Sequence, residues 1–263
     1  MKIGIYQFDP SWGKKEVNLN KIKGKLSRHP DVDIWVLPEL ATTGYQIPSQ
    51  EAINELAEPF PTGDTGKQLR NLSNELEAGI IIGVAEKEGG NIYNSSVVFE
   101  NGRYIGNYRK VHLYYEEKKY FKPGKMSPPV LNIKDVKVGL MICFDWIFPE
   151  TARTLAIKGA QLLAHPANLV LPYCQDAMLT RSIENKVFTA TANRIGQENK
   201  TGEQMTFTGK SQITDLKGKR LDSLSENEEG MMKVEINPKK AEDKSINKYN
   251  NLLKDRRSSL YEL

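Results

Sequence analysis

Cysteine and histidine are scarce in this chain, with two cysteines and three histidines among 263 residues. Cys143 and Cys174 are too few for a disulfide framework, or for a zinc site made of cysteine alone. The histidines lie far apart, at His29, His112 and His165, and show none of the short ligand spacings of zinc sites. We therefore expect no metal and no other cofactor.

Long apolar runs are missing as well, because no window approaches the roughly 18 consecutive apolar residues of a membrane span. The N-terminal segment reaches Asp9 after a short apolar stretch, and it lacks the apolar region and cleavage site of a signal peptide. We expect a cytoplasmic protein that has no membrane partner.

The chain also lacks a clustered excess of charge. Its formal net charge is +4, from 37 Lys and Arg residues against 33 Asp and Glu residues. The basic residues stand among acidic ones in segments such as KEVNLNKIKGK, ENEEGMMK and KKAEDK. Such a mixture is typical of a solvated surface, so nucleic acid is not an expected partner.

Short apolar runs bounded by glycine, proline or charge are the main structural pattern. Runs of roughly four to eight such residues are typical of buried strands. They predict strands at 3–8, 33–39, 79–86, 138–143 and 161–167, with further strands at 93–100, 101–110, 206–215 and 231–236.

Helical spacing occupies intervals between these strands. We predict helices that end at Gly79, that begin at Pro149 in a first-turn position, and that cover 176–188. Their apolar faces consist of Leu69, Leu72 and Leu76; of Ala152, Leu155, Ala156 and Gly159; and of Leu179, Ile183 and Val187. Strands with flanking helices indicate a layered α/β fold in one domain, 1–263, with a polar tail at 244–263.

Three reactive side chains stand where predicted strands end, namely Glu39, Lys110 and Cys143. Ligands bind at the carboxyl ends of strands in open α/β sheets, so these residues can converge there. A thiol, a carboxylate and an ammonium group are the parts of nucleophilic catalysis: a nucleophile, a base and a cation that holds developing negative charge.

Cys143 lies between an apolar strand and the helix that begins at Pro149. In a strand-to-helix turn, backbone N–H groups and the positive helix end would lower the pKa of the thiol. A small apolar core residue is the alternative interpretation. Glu39 is the best-placed base, and His112 stays open as an alternative, whereas His165 fits a hydrogen-bonded structural role.

Several segments together resemble the nitrilase, or carbon–nitrogen hydrolase, superfamily. They are LPELATTGY (37–45), YRKVHLYYEEKKYFKPG (108–124), VGLMICFDWIFPE (138–150), HPANLVLP (165–172) and RSIENKVFTATANR (181–194). Their order makes the resemblance specific, and it extends over nearly the whole chain. The chain is most similar to single-domain archaeal-type nitrilases and aliphatic-amidase-like members.

The resemblance implies catalytic roles for four residues. Glu39 matches the general base, Lys110 the catalytic lysine and Cys143 the nucleophile of the family. Glu117 matches a second glutamate, although the neighbouring Glu116 leaves that alignment uncertain by one residue.

The resemblance also implies a fold and an assembly. The family fold is a four-layer α-β-β-α sandwich, and two subunits commonly form an eight-layer dimer. The C-terminal tail, 244–263, would then lie at the dimer interface of a homodimer or a higher homo-oligomer.

The pocket wall is expected to come from residues that flank the motifs. The candidates for substrate binding are Tyr45, Tyr114, Phe144, Trp146, Asn168 and Tyr173. We interpret Cys174 as a bystander, and Arg181 with Glu184 as a structural ion pair.

The expected function is cysteine-dependent hydrolysis of small non-peptide amides or nitriles, which gives a carboxylic acid and ammonia through a thioester. An N-carbamoyl amidohydrolase shares the same catalytic set and stays open. From another class, a non-catalytic binding or regulatory protein with this fold is the alternative.

Overall fold

Runs of β-branched and other apolar residues form two six-stranded sheets in the computed structural model, which describes residues 1–261. The strands are β1 (Lys2–Gln7), β2 (Ile34–Val36), β3 (Gly79–Glu88), β4 (Asn91–Glu100), β5 (Arg103–Arg109), β6 (Val130–Ile133), β7 (Val136–Leu140), β8 (Leu162–Pro166), β9 (Phe188–Ala192), β10 (Gln197–Glu198), β11 (Met205–Thr206), β12 (Gln212–Thr214), β13 (Arg220–Ser223) and β14 (Gly230–Glu235). The helices are α1 (Lys15–Leu26), α2 (Gln50–Leu56), α3 (Asp64–Glu75), α4 (Glu117–Tyr120), α5 (Pro149–Ile157) and α6 (Cys174–Asn185). Short 3-10 helices cover Cys143–Ile147, Pro238–Ala241 and Ser258–Leu260.

The two sheets share one plan, with parallel strands at the centre and antiparallel strands at the edges. The first has the order β14-β1-β2-β3-β4-β5, with β1, β2 and β3 parallel. The second has the order β13-β12-β9-β8-β7-β6, with β7, β8 and β9 parallel. A separate pair is formed by β10 and β11.

The two sheets pack face to face, since apolar residues of both belong to one buried cluster. Helices α1 and α3 cover the outer face of the first sheet with residues such as Ile22 and Leu69. Helices α5 and α6 contribute residues such as Leu155 and Met178 on the second sheet. The predicted α-β-β-α sandwich is confirmed, whereas the pairing of two subunits stays a prediction.

The helix predictions are correct in part. Helix α5 begins at Pro149 and buries Ala152, Leu155 and Ala156, as expected. Helix α1 is not predicted by the patterns above, although its buried leucines and isoleucine follow i, i+3, i+7 spacing. The prediction that a helix ends at Gly79 is wrong, because α3 ends at Glu75 and Gly79 begins β3.

The predicted apolar face of α6 is also wrong. Ile183 is 52% exposed, and Val187 lies beyond the end of the helix. The buried face instead carries polar residues such as Gln175, whose side-chain amide donates to Thr208 Oγ1 and the Gly209 carbonyl. Hydrogen bonds offset the free-energy cost of burying these polar side chains, and an apolar sequence pattern does not reveal such bonds.

The first residue of the C-terminal tail packs against the domain of its own chain. Lys244 Nζ donates to the carbonyl oxygens of Asn185 (3.0 Å) and Lys186 (2.9 Å) at the end of α6. Residues 262–263 of the predicted tail lie outside the described residues. The single domain boundary, 1–263, and the tail's place at a dimer interface stay predictions. No helix within residues 1–261 is long and apolar enough to cross a bilayer.

One close approach in the first sheet determines where Glu39 lies. The Gly83 N–H donates to the Pro38 carbonyl (3.0 Å), and the Ala41 N–H donates to the Gly83 carbonyl (2.9 Å). A Cβ atom on Gly83 would lie against the Glu39 backbone and 2.6 Å from the Leu40 nitrogen. Strand β3 therefore needs glycine at this position.

We expect Gly83→Ala to lower the free energy of unfolding by about 2 kcal/mol, because an added methyl group overpacks this contact. Urea denaturation measures the change. Gly24→Ala is the matched control, since Gly24 lies in α1 with nothing within 4 Å of an added Cβ, and there we expect equal or higher stability. Equal stability of the Gly83 variant and the wild type would contradict the packing argument.

Candidate active site

The candidate site draws on both sheets. Glu39 follows β2 and Lys110 follows β5, both in the first sheet, whereas Cys143 follows β7 in the second. Contrary to our expectation, the three residues therefore do not lie along the edge of one open sheet. The residues converge instead because two packed sheets bring their strand ends together.

A buried ammonium group lies at the centre of the site. Lys110 Nζ donates to Glu39 Oε1 at 2.7 Å and to Glu117 Oε1 at 2.6 Å. Lys110 and Glu39 are fully buried, and Glu117 is 5% exposed. Glu116 pairs with Lys119 instead, so the structure places Glu117, and not its neighbour, in this cluster.

Two neutral side chains also donate hydrogen bonds to the carboxylates. Asn94 Nδ2 donates to Glu39 Oε1 at 2.7 Å, and the Tyr45 hydroxyl donates to Glu117 Oε1 at 2.7 Å. The Asn94 carbonyl also accepts from the Lys110 N–H at 2.9 Å. Strand β4 thus aligns the base candidate and the lysine together.

Burial and charge determine the acidity of these groups. Burial alone would lower the pKa of Lys110, and the two carboxylates raise it above its ordinary value. Burial raises the pKa of Glu117 to about 7, against the opposing effect of Lys110. Lys110 is therefore an ammonium ion at neutral pH, while Glu117 titrates near neutrality.

The expectation of an acidified Cys143 thiol is wrong. Burial, followed by the Glu39 carboxylate, raises the pKa of Cys143 well above its ordinary value, although Lys110 opposes this. The helix that begins at Pro149 is separated from Cys143 by a 3-10 turn, so its positive end does not offset desolvation. The resting residue is a thiol, and its deprotonation requires a base.

Cys143 occupies a strained turn that neighbouring groups hold in place. Its φ is +40°, in the left-handed region that non-glycine residues rarely adopt. Asp145 Oδ2 accepts from the Ile142 N–H at 2.8 Å, and the Asn168 carbonyl lies 3.7 Å from Cys143 Sγ. Asn168 Nδ2 donates to the Glu39 carbonyl at 2.9 Å, which links the thiol to the base candidate.

A small cavity opens beside the sulfur atom. Its walls are Tyr114, Cys143, Phe144, Trp146, Asn168, Leu169, Val170 and Leu171. Four of the six residues that we expected in the pocket wall line it. Tyr173 does not line it and is 64% exposed before α6. Tyr45 contacts Glu117 from a neighbouring small cavity.

The chain is similar to known proteins along nearly its whole length. A family model described as carbon-nitrogen hydrolase matches residues 2–244. The chain is 42% identical to a nitrilase of Pyrococcus abyssi over 99% of both chains. It is 30% identical to an N-carbamoylputrescine amidase of Solanum lycopersicum, over 88% of this chain and 83% of that one.

The chain belongs to the carbon-nitrogen hydrolase family. A solved variant of an amidase from Nesterenkonia sp. AN1 superposes with a TM-score of 0.82 at 25% identity, covering 99% of this chain and 98% of the other. That structure has acrylamide added at its active-site cysteine. The predicted membership of the nitrilase superfamily, and with it an enzymatic hydrolase, is confirmed.

The histidines of this carbon-nitrogen hydrolase contact other groups than the Cys143 sulfur. His165 Nε2 lies 2.9 Å from the Cys143 carbonyl and therefore donates to it, which fits the expected structural role. His112 Nδ1 lies 2.7 Å from Asp145 Oδ1, and its ring stacks on Phe148 at 3.8 Å. Glu39, whose backbone carbonyl accepts from Asn168, is left as the base candidate.

Two polar residues of the site, Asn94 and Asp145, are not predicted by the sequence patterns. Asp145 is fully buried and accepts from the Tyr108 hydroxyl (2.9 Å), His112 and the Ile142 N–H. For Asp145 the available signal was one acidic residue within the otherwise apolar run CFDWIF, whereas Asn94 stands beside two serines and offers no such signal.

The remaining predictions concern groups outside the catalytic cluster. Cys174 is free and fully buried at the start of α6. Arg181 pairs with Glu184 at 3.0 Å, and it also donates to the Trp146 carbonyl, which fits a structural ion pair. Within residues 1–261, no three His, Cys, Asp or Glu side chains are grouped to hold a metal ion.

We expect Asp145→Ala to lower the free energy of unfolding by about 3 kcal/mol, because it leaves several buried donors without an acceptor. Guanidinium denaturation measures the loss. Asp145→Asn keeps one acceptor oxygen and serves as the conservative control, with a smaller expected loss. Wild-type stability in the alanine variant would show that the turn does not depend on this carboxylate.

Proposed function

We propose that this carbon-nitrogen hydrolase is an amidase that converts small, uncharged primary amides into carboxylic acids and ammonia. The observation that carries the proposal is the buried Lys110 ammonium group between the Glu39 and Glu117 carboxylates. Asn168 donates to the backbone carbonyl of Glu39, and its own carbonyl lies beside Cys143, the thiol that lines the cavity.

Acylation begins when Glu39 takes the proton of Cys143. Glu39 Oε2 is buried and has no hydrogen-bond donor among residues 1–261, so it is free to accept that proton. The thiolate attacks the amide carbon, and the resulting oxyanion is stabilised by Lys110 Nζ and the Phe144 N–H. Phe144 lies in the first turn of its 3-10 helix, where N–H groups have no intrahelical acceptor.

The leaving nitrogen takes the proton from Glu39 and departs as ammonia, which leaves a thioester on Cys143. Glu39 then accepts a proton from water, which attacks the thioester carbon. The carboxylic acid departs, and the proton returns to the Cys143 sulfur. Glu117 takes no part in these proton transfers, and in its ionised form it holds Lys110 in place.

Unpartnered acceptors favour an amide over a nitrile. Besides Glu39 Oε2, the buried atoms Glu117 Oε2 and Asn168 Oδ1 have no donor among residues 1–261. A buried acceptor without a donor costs roughly 1–3 kcal/mol, and a primary amide brings two N–H groups that can satisfy such atoms. A nitrile has no N–H group to donate.

The cavity walls favour an uncharged and small acyl group. The lining residues are aromatic, aliphatic or neutral polar, apart from the reactive thiol. The cavity beside the sulfur atom is far smaller than the roughly 300–1,000 Å³ pockets of drug-sized ligands. An N-carbamoyl substrate with a charged amine, as in the name of the tomato relative, would find no carboxylate in this wall to pair with.

Ammonia release tests the substrate class. The panel pairs propionamide with propionitrile and butyramide with butyronitrile, and adds N-carbamoylputrescine. We expect kcat/KM for each amide to exceed that for its matched nitrile at least about tenfold, the effect of one unsatisfied acceptor. Faster turnover of the nitriles, which the name of the Pyrococcus relative would suggest, would reject the amide assignment. Faster turnover of N-carbamoylputrescine would reject the uncharged acyl group.

We expect Cys143→Ala to abolish turnover while it preserves the fold, since no other thiol lines the cavity. The matched control is Cys174→Ala, which removes the other buried cysteine and should keep turnover. Mass spectrometry with the wild type should detect an acyl adduct at Cys143 during turnover. Near wild-type turnover in Cys143→Ala would eliminate Cys143 as the nucleophile.

A further inference from the structure

A second buried ion pair lies apart from the cavity, between Arg194 and Glu198. Arg194 is fully buried and Glu198 is 5% exposed. The guanidinium group also pairs with Asp9, whose side chain is half exposed, and it lies over the Phe207 ring at 4.0 Å. Neither residue of the Arg194–Glu198 pair has a role in the proposed reaction.

The Glu198 carboxylate holds the backbone that carries Tyr45. It accepts from the Tyr45 N–H at 3.1 Å and from the Gln46 N–H at 2.7 Å. Gly44 precedes them with φ of +85°, and a Cβ atom there would lie 2.9 Å from Glu198 Oε1. The carboxylate and this turn therefore fit closely, and the fit depends on the position of the carboxylate.

The Tyr45 side chain connects this turn to Glu117. Its side chain is 6% exposed, and its hydroxyl donates to Glu117 Oε1, the same oxygen atom that accepts from Lys110. A continuous chain of contacts thus runs from Arg194 through Glu198 and Tyr45 to Glu117.

We propose that the Arg194–Glu198 pair positions the Tyr45 hydroxyl on Glu117, and that it thereby keeps Glu117 ionised against Lys110. The inference rests on the proposed function, because there Glu117 must be an anion to hold the lysine. Glu198 and Arg194 are positioning residues, since they act through Tyr45 and touch no reacting atom.

The charge of Glu117 responds to several titratable groups packed around it. These are Lys110 after β5, Glu39 after β2, Cys143 after β7, and the hydroxyls of Tyr45 and Tyr114. Burial raises the pKa of Glu117 to about 7, and the Tyr45 hydrogen bond acts in the opposite direction. Loss of that hydrogen bond would raise the pKa of Glu117 further. The activity lost on acidification, when Glu117 takes up a proton, would then be lost at a higher pH than in the wild type.

The experiment compares Tyr45→Phe, Glu198→Gln and the double variant, with two readouts over pH. The first is kcat/KM for propionamide, and the second is the rate of iodoacetamide alkylation at Cys143, located by peptide mapping. We expect both single variants to shift the acidic limb of the two pH profiles to higher pH. The shift should be about one pH unit for Tyr45→Phe, the effect of a lost hydrogen bond to a charged group. The double variant should move it no further than Tyr45→Phe alone.

Two further variants separate positioning from stability. Asp9→Asn removes the other carboxylate on Arg194 without touching the turn at 44–46, and it should leave the pH profile unchanged. Glu198→Asp retracts the carboxylate but keeps its charge; it should shift the profile partially, and it tests the same point if Glu198→Gln does not fold.

The inference is overturned if the Glu198 variants lower the melting temperature but keep the wild-type pH profile, or if their shift adds fully to that of Tyr45→Phe. Failure of the proposed function is distinguishable from this outcome. A wild type that hydrolyses no amide rejects the function, whereas the alkylation profile still tests the link from Glu198 to Glu117.

Discussion

The buried ammonium group of Lys110 is the interaction on which the rest of this site depends. It has no access to solvent, and it neutralises two carboxylates that lie within 2.7 Å of the same nitrogen atom. Two anions this close and this deeply buried would otherwise repel each other and lose hydration. Removal of the cation would leave an uncompensated charge, which costs several kcal/mol in buried sites. The catalytic geometry and the local stability therefore have the same origin.

The sandwich architecture explains how these charges can be buried at all. The cation and its two carboxylates come from segments that leave the first sheet or follow it, while the thiol comes from the second sheet. The interface between the sheets excludes water from the meeting point, which strengthens each electrostatic interaction there. The same exclusion raises the pKa of Cys143, so an adjacent base becomes a chemical requirement.

The architecture also separates catalysis from selectivity. In the proposed reaction the charged cluster carries out proton transfer and oxyanion stabilisation, and it consists of groups that all amides and nitriles could use. The walls around Cys143 are neutral and mostly apolar, and they belong to the 3-10 turn, to the loop after β8 and, for Tyr114, to the segment before α4. Loops can change their side chains without disturbing the buried charges, so one catalytic core can serve relatives with different substrates.

The sequence by itself determined the family, the layered α/β class and the identities of Glu39, Lys110, Glu117 and Cys143 as candidates. Ordered motifs and apolar runs are local, so they can be recognised along the chain. Tertiary structure alone decided which face of α6 is buried and which contacts Asn94 and Asp145 make. It also decided that Tyr173 is exposed. Each depends on a partner distant in sequence: buried polar residues need a donor or acceptor from another element, and no local pattern identifies that partner. The elevated pKa of Cys143 has the same explanation, because desolvation is a property of the packed sheets and not of the turn.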